Sequence, residues 1–184
     1  MRDCCQSSAP RGSLDKKFLI GMIIFIAVII IGGIWLISAQ NQKEKKLLMG
    51  EEIPSQGAAH VARGEGHPTY NSNPPTSGWH WGDGVAGPGI KDEQLPDELV
   101  LHSMEHGAVV VWYDHKLSVE QVEKIKKAFH DAEGKKIMLP RSGMDVPVAL
   151  TSWGRLLKLA AVDEEKIKEF IEANSDHAPE MAPI

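Results

Sequence analysis

Cysteine is nearly missing from this chain of 184 residues. The only two, Cys4 and Cys5, stand side by side near the N-terminus. The body of the chain therefore has no disulfide, no cysteine-based zinc cluster and no thiol nucleophile. A basic excess is missing too. Formal net charge is −5, and the arm with Arg2, Arg11, Lys16 and Lys17 against Asp3 and Asp15 leaves the rest near −7. An acidic body lacks the cationic patches that neutralise phosphates, which excludes nucleic acid as a partner. No internal repeat is present, and nothing suggests a solenoid.

Charge of either sign is absent from Phe18 to Ile37, FLIGMIIFIAVIIIGGIWLI. At 1.5 Å per residue these 20 residues span about 30 Å, the thickness of a bilayer's hydrocarbon core. Lys16 and Lys17 stop the run on one side, polar residues from Gln40 stop it on the other, and Trp35 suits an interfacial anchor. A cleaved signal peptide needs a shorter apolar core and a small-x-small site, and Ile37-Ser38-Ala39 is a poor one. The expected organisation is a cytoplasmic tail over 1–17, an anchor helix over 18–39 in contact with the lipid bilayer, a charged stalk over 40–56, and an extracytoplasmic domain over 57–184. Four basic residues before the run against Lys43, Lys45 and Lys46 after it favour a cytoplasmic N-terminus by a narrow margin. Cys4 and Cys5 read as reduced thiols in the tail, with palmitoylation as the alternative.

Past the stalk, Gly57 to Pro96 is dense in Gly, Pro, Ser, Thr and Asn and keeps no period. A loop of about forty residues is unusual in a compact domain and is normally functional or packed on something. Ala108–Tyr113 reads as a buried strand. Ser118 with Gln121 is a capping box opening a helix to about Gly134, with Val122, Ile125 and Phe129 inward. Lys136–Leu139, Val146–Ser152 and Arg155–Ala161 read as extended. Asp163 caps a last helix, Glu164–Asn174. The expected class is α+β: a transmembrane helix, then one small domain with an antiparallel or mixed sheet, two helices and the long Pro/Gly-rich segment.

Histidine supplies the chemistry. All eight lie beyond the apolar run, and His60, His67, His80, His102 and His106 are close in sequence. His102 and His106 would share a face if helical. On a strand, His102, Met104 and His106 would share one instead, a set suited to copper. Glu105 would face elsewhere. His80 lies between Trp79 and Trp81, two indoles that could shield a site or simply cover the core. His60 and His67 are candidates to extend the site. The leading expectation is a copper or zinc site on His80, His102 and His106, with Met104 or His67 as the next ligand. The alternatives are a non-catalytic cell-envelope interaction module and a His/Glu hydrolase. Ser77 lacks the surroundings of a nucleophile. No protein partner can be named.

The PPTSG-W-H run (Pro74 to His80) and the HSMEHG run (His102 to Gly107), followed by an apolar strand ending in a tyrosine, resemble a bacterial domain-of-unknown-function family. The resemblance runs from about His60 through Thr151–Arg155 to the Phe170 helix. It highlights His67, Tyr70, Pro74, Pro75, Thr76, Ser77, Gly78, His80, His102, Glu105, His106, Gly107, Tyr113, Trp153 and Gly154. It implies a single-pass bacterial membrane protein with the domain outside the cytoplasm, and no established activity. It also argues against a lipidated cysteine pair, because the bacterial lipoprotein signal puts its cysteine after the apolar run.

Overall fold

The computed structural model describes residues 16–41, 47–180 and 182–184. Chain contacts divide it into two units, Met1–Lys46 and Leu47–Ile184. In the first, α1 (Lys16–Asn41) is one helix whose side chains from Lys16 to Ile31 are all exposed. It is long and apolar enough to cross a membrane, a test that a signal sequence also passes. A helix of the soluble amphipathic kind would carry one apolar stripe and one polar face, and this one does not. Cys4, Cys5, Lys43, Lys45 and Lys46 lie outside the described residues.

The second unit runs β1 (Glu51–Glu52), β2 (His60–Val61), β3 (His80–Trp81), β4 (Gly89–Ile90), α2 (Asp97–Glu105), β5 (Val109–Asp114), α3 (Val119–Asp131), β6 (Lys136–Arg141), β7 (Val148–Ser152), β8 (Arg155–Leu159) and α4 (Glu164–Asn174). Six strands form one mixed sheet in the order β1-β8-β7-β5-β6-β4. β5 and β6 are parallel, with α3 as the crossover that parallel pairing requires. β7 and β8 add on antiparallel, and Val110 faces Thr151 across the β5–β7 pair.

β5 is central, so both its faces are buried, which explains its unbroken apolar run. Val109 and Val111 face α3 and α4, in a core with Ile125, Phe129, Leu150, Ile167 and Phe170. Val110 and Trp112 face the other way, with Leu101, Met104, Ile137 and Ala149. That second face is covered by α2 and the Gly/Pro-rich segment. A segment with no period of its own is thus a packed layer, with Pro74, Pro75, Thr76 and Ser77 buried in it.

The α+β class and the mixed sheet are present, with two differences in detail. The second unit has three helices, not two, because residues 97–105 are helical. β1 falls within the span assigned to the stalk: Glu51 and Glu52 pair with Leu156 and Arg155 at the sheet edge. The α3 capping box forms as expected, with Ser118 accepting from Gln121 N and the Gln121 side chain accepting from Ser118 N. α3 ends at Asp131, ahead of Gly134, because Ala132 is already extended towards β6.

Candidate metal centre

The HSMEHG run is the end of α2. Gly107 N donates to Met104 O, and Ala108 N donates to Ser103 O, both at 3.0 Å. This nested pair is a Schellman turn, which needs a left-handed residue just past the helix. Gly107 supplies it at φ +92°, and a Cβ there would come within 3.0 Å of Asp176 Cα. The turn fixes where α2 stops and therefore where His102, Glu105 and His106 stand. Asp97 and Glu98 suit the positive N-terminal end of the helix. Asp97 is also clasped by Arg141, which pins α2 to β6.

His102 and Glu105 are three residues apart, so they are neighbours on the helix surface. Glu105 thus does not face elsewhere, as the sequence suggested. Its carboxylate is almost wholly buried and lies against imidazoles from a different element. β2 and β3 are parallel and in register, His60 opposite His80. Glu105 Oε2 lies 2.9 Å from His80 Nε2 and 3.2 Å from His60 Nε2. The His60, His80 and His102 rings have centroids 4.9 to 5.3 Å apart. His60, His80, His102 and Glu105 each offer one ligand atom, and these atoms lie within 4.8 Å of one another. His80, His102 and Glu105 are buried, and His60 is half exposed, leaving a path from solvent.

The backbone decides which nitrogen faces inward. His80 Nδ1 donates to Gly78 O at 2.8 Å, and His102 Nδ1 donates to Gly84 O at 2.7 Å. A carbonyl only accepts, so both rings carry their proton on Nδ1, and in the neutral ring Nε2 presents a lone pair. Metal-binding histidines are oriented in the same way. A neutral His80 would aim that lone pair straight at a carboxylate oxygen, which is repulsive. The contact therefore needs a proton on one of the two groups or a metal ion between them. Burial lowers the pKa of His102, and the neighbouring His106, His80 and His60 push it the same way against the Gly84 hydrogen bond. Its imidazole is thus kept neutral and able to coordinate.

Residues 60–183 match the family described as Protein of unknown function (DUF3105). The chain belongs to the DUF3105 family. No curated protein and no solved structure matches it.

The DUF3105 domain scatters the other candidates. Met104 is buried under the sheet, and its sulfur accepts from Thr151 Oγ1, which in turn accepts from Trp112 Nε1. It takes no place in the histidine cluster. His67 pairs with Glu98 at 3.2 Å and stacks on Tyr70, also apart from the cluster. His106 stands beside His102, ring centroids 4.6 Å apart, but its Nδ1 donates to Pro183 O in the C-terminal tail. Ser77 Oγ accepts from Gln56 N, and Tyr70 OH donates to Trp79 O, so both hold the loop layer together. Gly78 lies under the Tyr70 ring. Tyr113 continues β5 and is partly buried against the α3 and α4 side.

The sequence names His60 as a candidate to extend the site and Trp153 through the resemblance, but gives neither its place. His60 joins the cluster only because β2 pairs with β3, and two-residue strands leave no periodic signal. The indole against His80 is Trp153, edge-on at 6.0 Å, which comes from the β7–β8 turn. Trp79 and Trp81 alternate away from His80 along the strand, and Arg63 stacks over Trp81 at 4.3 Å.

Proposed function

We propose that this domain binds one divalent transition-metal ion through His60, His80, His102 and Glu105, and that α1 holds it on the outer face of a membrane. The observation that carries the reading is the orientation of the rings. The buried imidazoles of His80 and His102 donate Nδ1–H to backbone carbonyls, His80 turns its Nε2 on the buried Glu105 carboxylate, and a ligand nitrogen of His102 lies within 4.8 Å of that group. Zinc ligands sit at about 2.0–2.1 Å, which puts tetrahedral donors about 3.3 Å apart. Donors already within 4.8 Å of each other need only a small inward movement to reach that arrangement.

The donor set speaks to the metal. Three imidazoles and a carboxylate suit zinc, and copper(II) next, whereas copper(I) prefers sulfur. Met104, the sulfur within sequence reach, is committed to Thr151. Four protein donors make a closed site of the kind that holds a metal rather than one that keeps a position open for water. Glu105, with two imidazoles on one oxygen, serves as a ligand and is not free to act as a hydrolytic base.

The test is metal content. The full chain, purified in detergent, is loaded with zinc or copper(II), desalted and analysed by plasma emission. One equivalent is expected, and His80→Gln/Glu105→Gln should lose it. No retained metal in the wild type, or an unchanged equivalent in the double variant, defeats the reading. A non-catalytic interaction module is what the first of these outcomes would favour. Protease protection in sealed vesicles reads the orientation: the domain should be cleaved from outside.

A further inference from the structure

The four-donor reading leaves an imidazole and a carboxylate oxygen unassigned. His60 and His80 both address Oε2 of Glu105, so Oε1 is free of them. His106, the buried residue that ends α2, donates Nδ1–H to Pro183 O at 2.9 Å. On a neutral ring the lone pair is then on Nε2, and that nitrogen faces Glu180 Oε2 at 3.9 Å. The gap is too long for a hydrogen bond. It is about 0.6 Å wider than the roughly 3.3 Å between tetrahedral zinc donors, a closure that the exposed Glu180 side chain can make. Glu105, His106 and Glu180 offer ligand atoms within 4.8 Å of one another.

Glu180 is exposed, yet its backbone is tied down. Glu180 N donates to Glu105 O at 3.2 Å, and Asp176 N donates to Gly107 O at 2.9 Å. Lys135 Nζ donates to both His106 O and Ala182 O at 3.0 Å. The C-terminal tail is thus pinned across the end of α2, with Glu180 beside the helix terminus that carries the first site.

The geometry points to a second divalent-metal position formed by Glu105, His106 and Glu180, with the Glu105 carboxylate bridging two ions. The inference rests on the metal reading above and extends it from a mononuclear to a dinuclear centre. Paired ions in such centres lie about 3.5–4 Å apart, the spacing a bridging carboxylate sets. Three protein ligands leave the second ion an open position, unlike the first. The second ion also sits nearer solvent, so it binds more weakly and fills last.

The full chain in detergent, stripped with a chelator, is titrated with zinc chloride by calorimetry, and its zinc content is read after desalting. Two zinc ions per chain are expected, the second at least about tenfold weaker. His106→Gln/Glu180→Gln should bind one, with the tighter affinity unchanged within about threefold. A wild type that binds a single zinc, or a double variant that still binds two, overturns the second position while leaving the first intact. A wild type that binds none overturns both readings. Should the double variant unfold by circular dichroism, Glu180→Gln alone decides, because that side chain is exposed. Its second-site affinity should fall about tenfold or more, and an unchanged value overturns the inference.

Discussion

Zinc added to the metal-free full chain should raise its melting temperature by about 8–13 °C. A ligand that binds only the folded state stabilises it by about 2.7 kcal/mol at a hundred times its Kd. The domain that melts is about 140 residues long, for which 1 kcal/mol is about 3–5 °C. The informative variant is Glu105→Gln. It keeps the volume of a buried side chain but removes the anionic ligand that two imidazoles address. The metal-free variant should fold, because the Gln amide can donate to the bare Nε2 of His80. At the same zinc concentration a hundredfold weaker site leaves zinc near its Kd and the stabilisation at about 0.4 kcal/mol. The shift then falls to about 1–2 °C. Scanning calorimetry in detergent measures both, with magnesium as the control for nonspecific charge effects. A wild type with no zinc-dependent shift, or a Glu105→Gln shift equal to the wild type's, would refute the assignment of Glu105 as a ligand.

Met104→Leu should keep the full metal content and cost less than about 1.5 kcal/mol in chemical denaturation, since the volume is conserved and only the contact with Thr151 is lost. Gly107→Ala should destabilise by about 1–3 kcal/mol, because a left-handed φ and a 3.0 Å approach to Asp176 both oppose a Cβ. The same variant should weaken zinc binding by shifting the end of α2, read by the calorimetric titration. The hydrogen bond to Pro68 O, with support from Glu98, raises the pKa of His67 against its partial burial. A raised histidine stabilises fully below its unfolded pKa of 6.5 and loses that contribution as pH rises through the folded value. The stability difference between wild type and His67→Gln should therefore be largest in mild acid and fall to a pH-independent remainder, from the contact with Tyr70, at alkaline pH. It should stay below about 1 kcal/mol because the pair is partly exposed. A proton titration of the ring by NMR with a midpoint below 6.5 would contradict it.

Reading the chain alone reaches the elements with strong local signals. The uncharged run from Phe18 to Ile37 announces a helix suited to a membrane by length and composition, because spanning requires nothing else. Val109 to Trp112, the Ser118 capping box and the Asp163 cap announce β5, α3 and α4 for the same reason: each signal sits in a few adjacent residues. Histidine abundance without cysteine likewise points to imidazole as the ligand chemistry. The identity of the cluster is another matter. The spacing of His102 and His106 makes them the natural pair, yet the α2 terminus ties His106 to the tail and leaves the His102 ring beside His60 and His80. His60 and His80 are twenty residues apart in a segment without a period, and they meet only through a parallel pairing of two-residue strands. Met104 looked like a ligand on a strand and is a core side chain on a helix. Local sequence determined the donor types, the anchor-like helix and most of the framework. Which donors converge depended on long-range pairing and on one Schellman turn, neither of which is written in neighbouring residues.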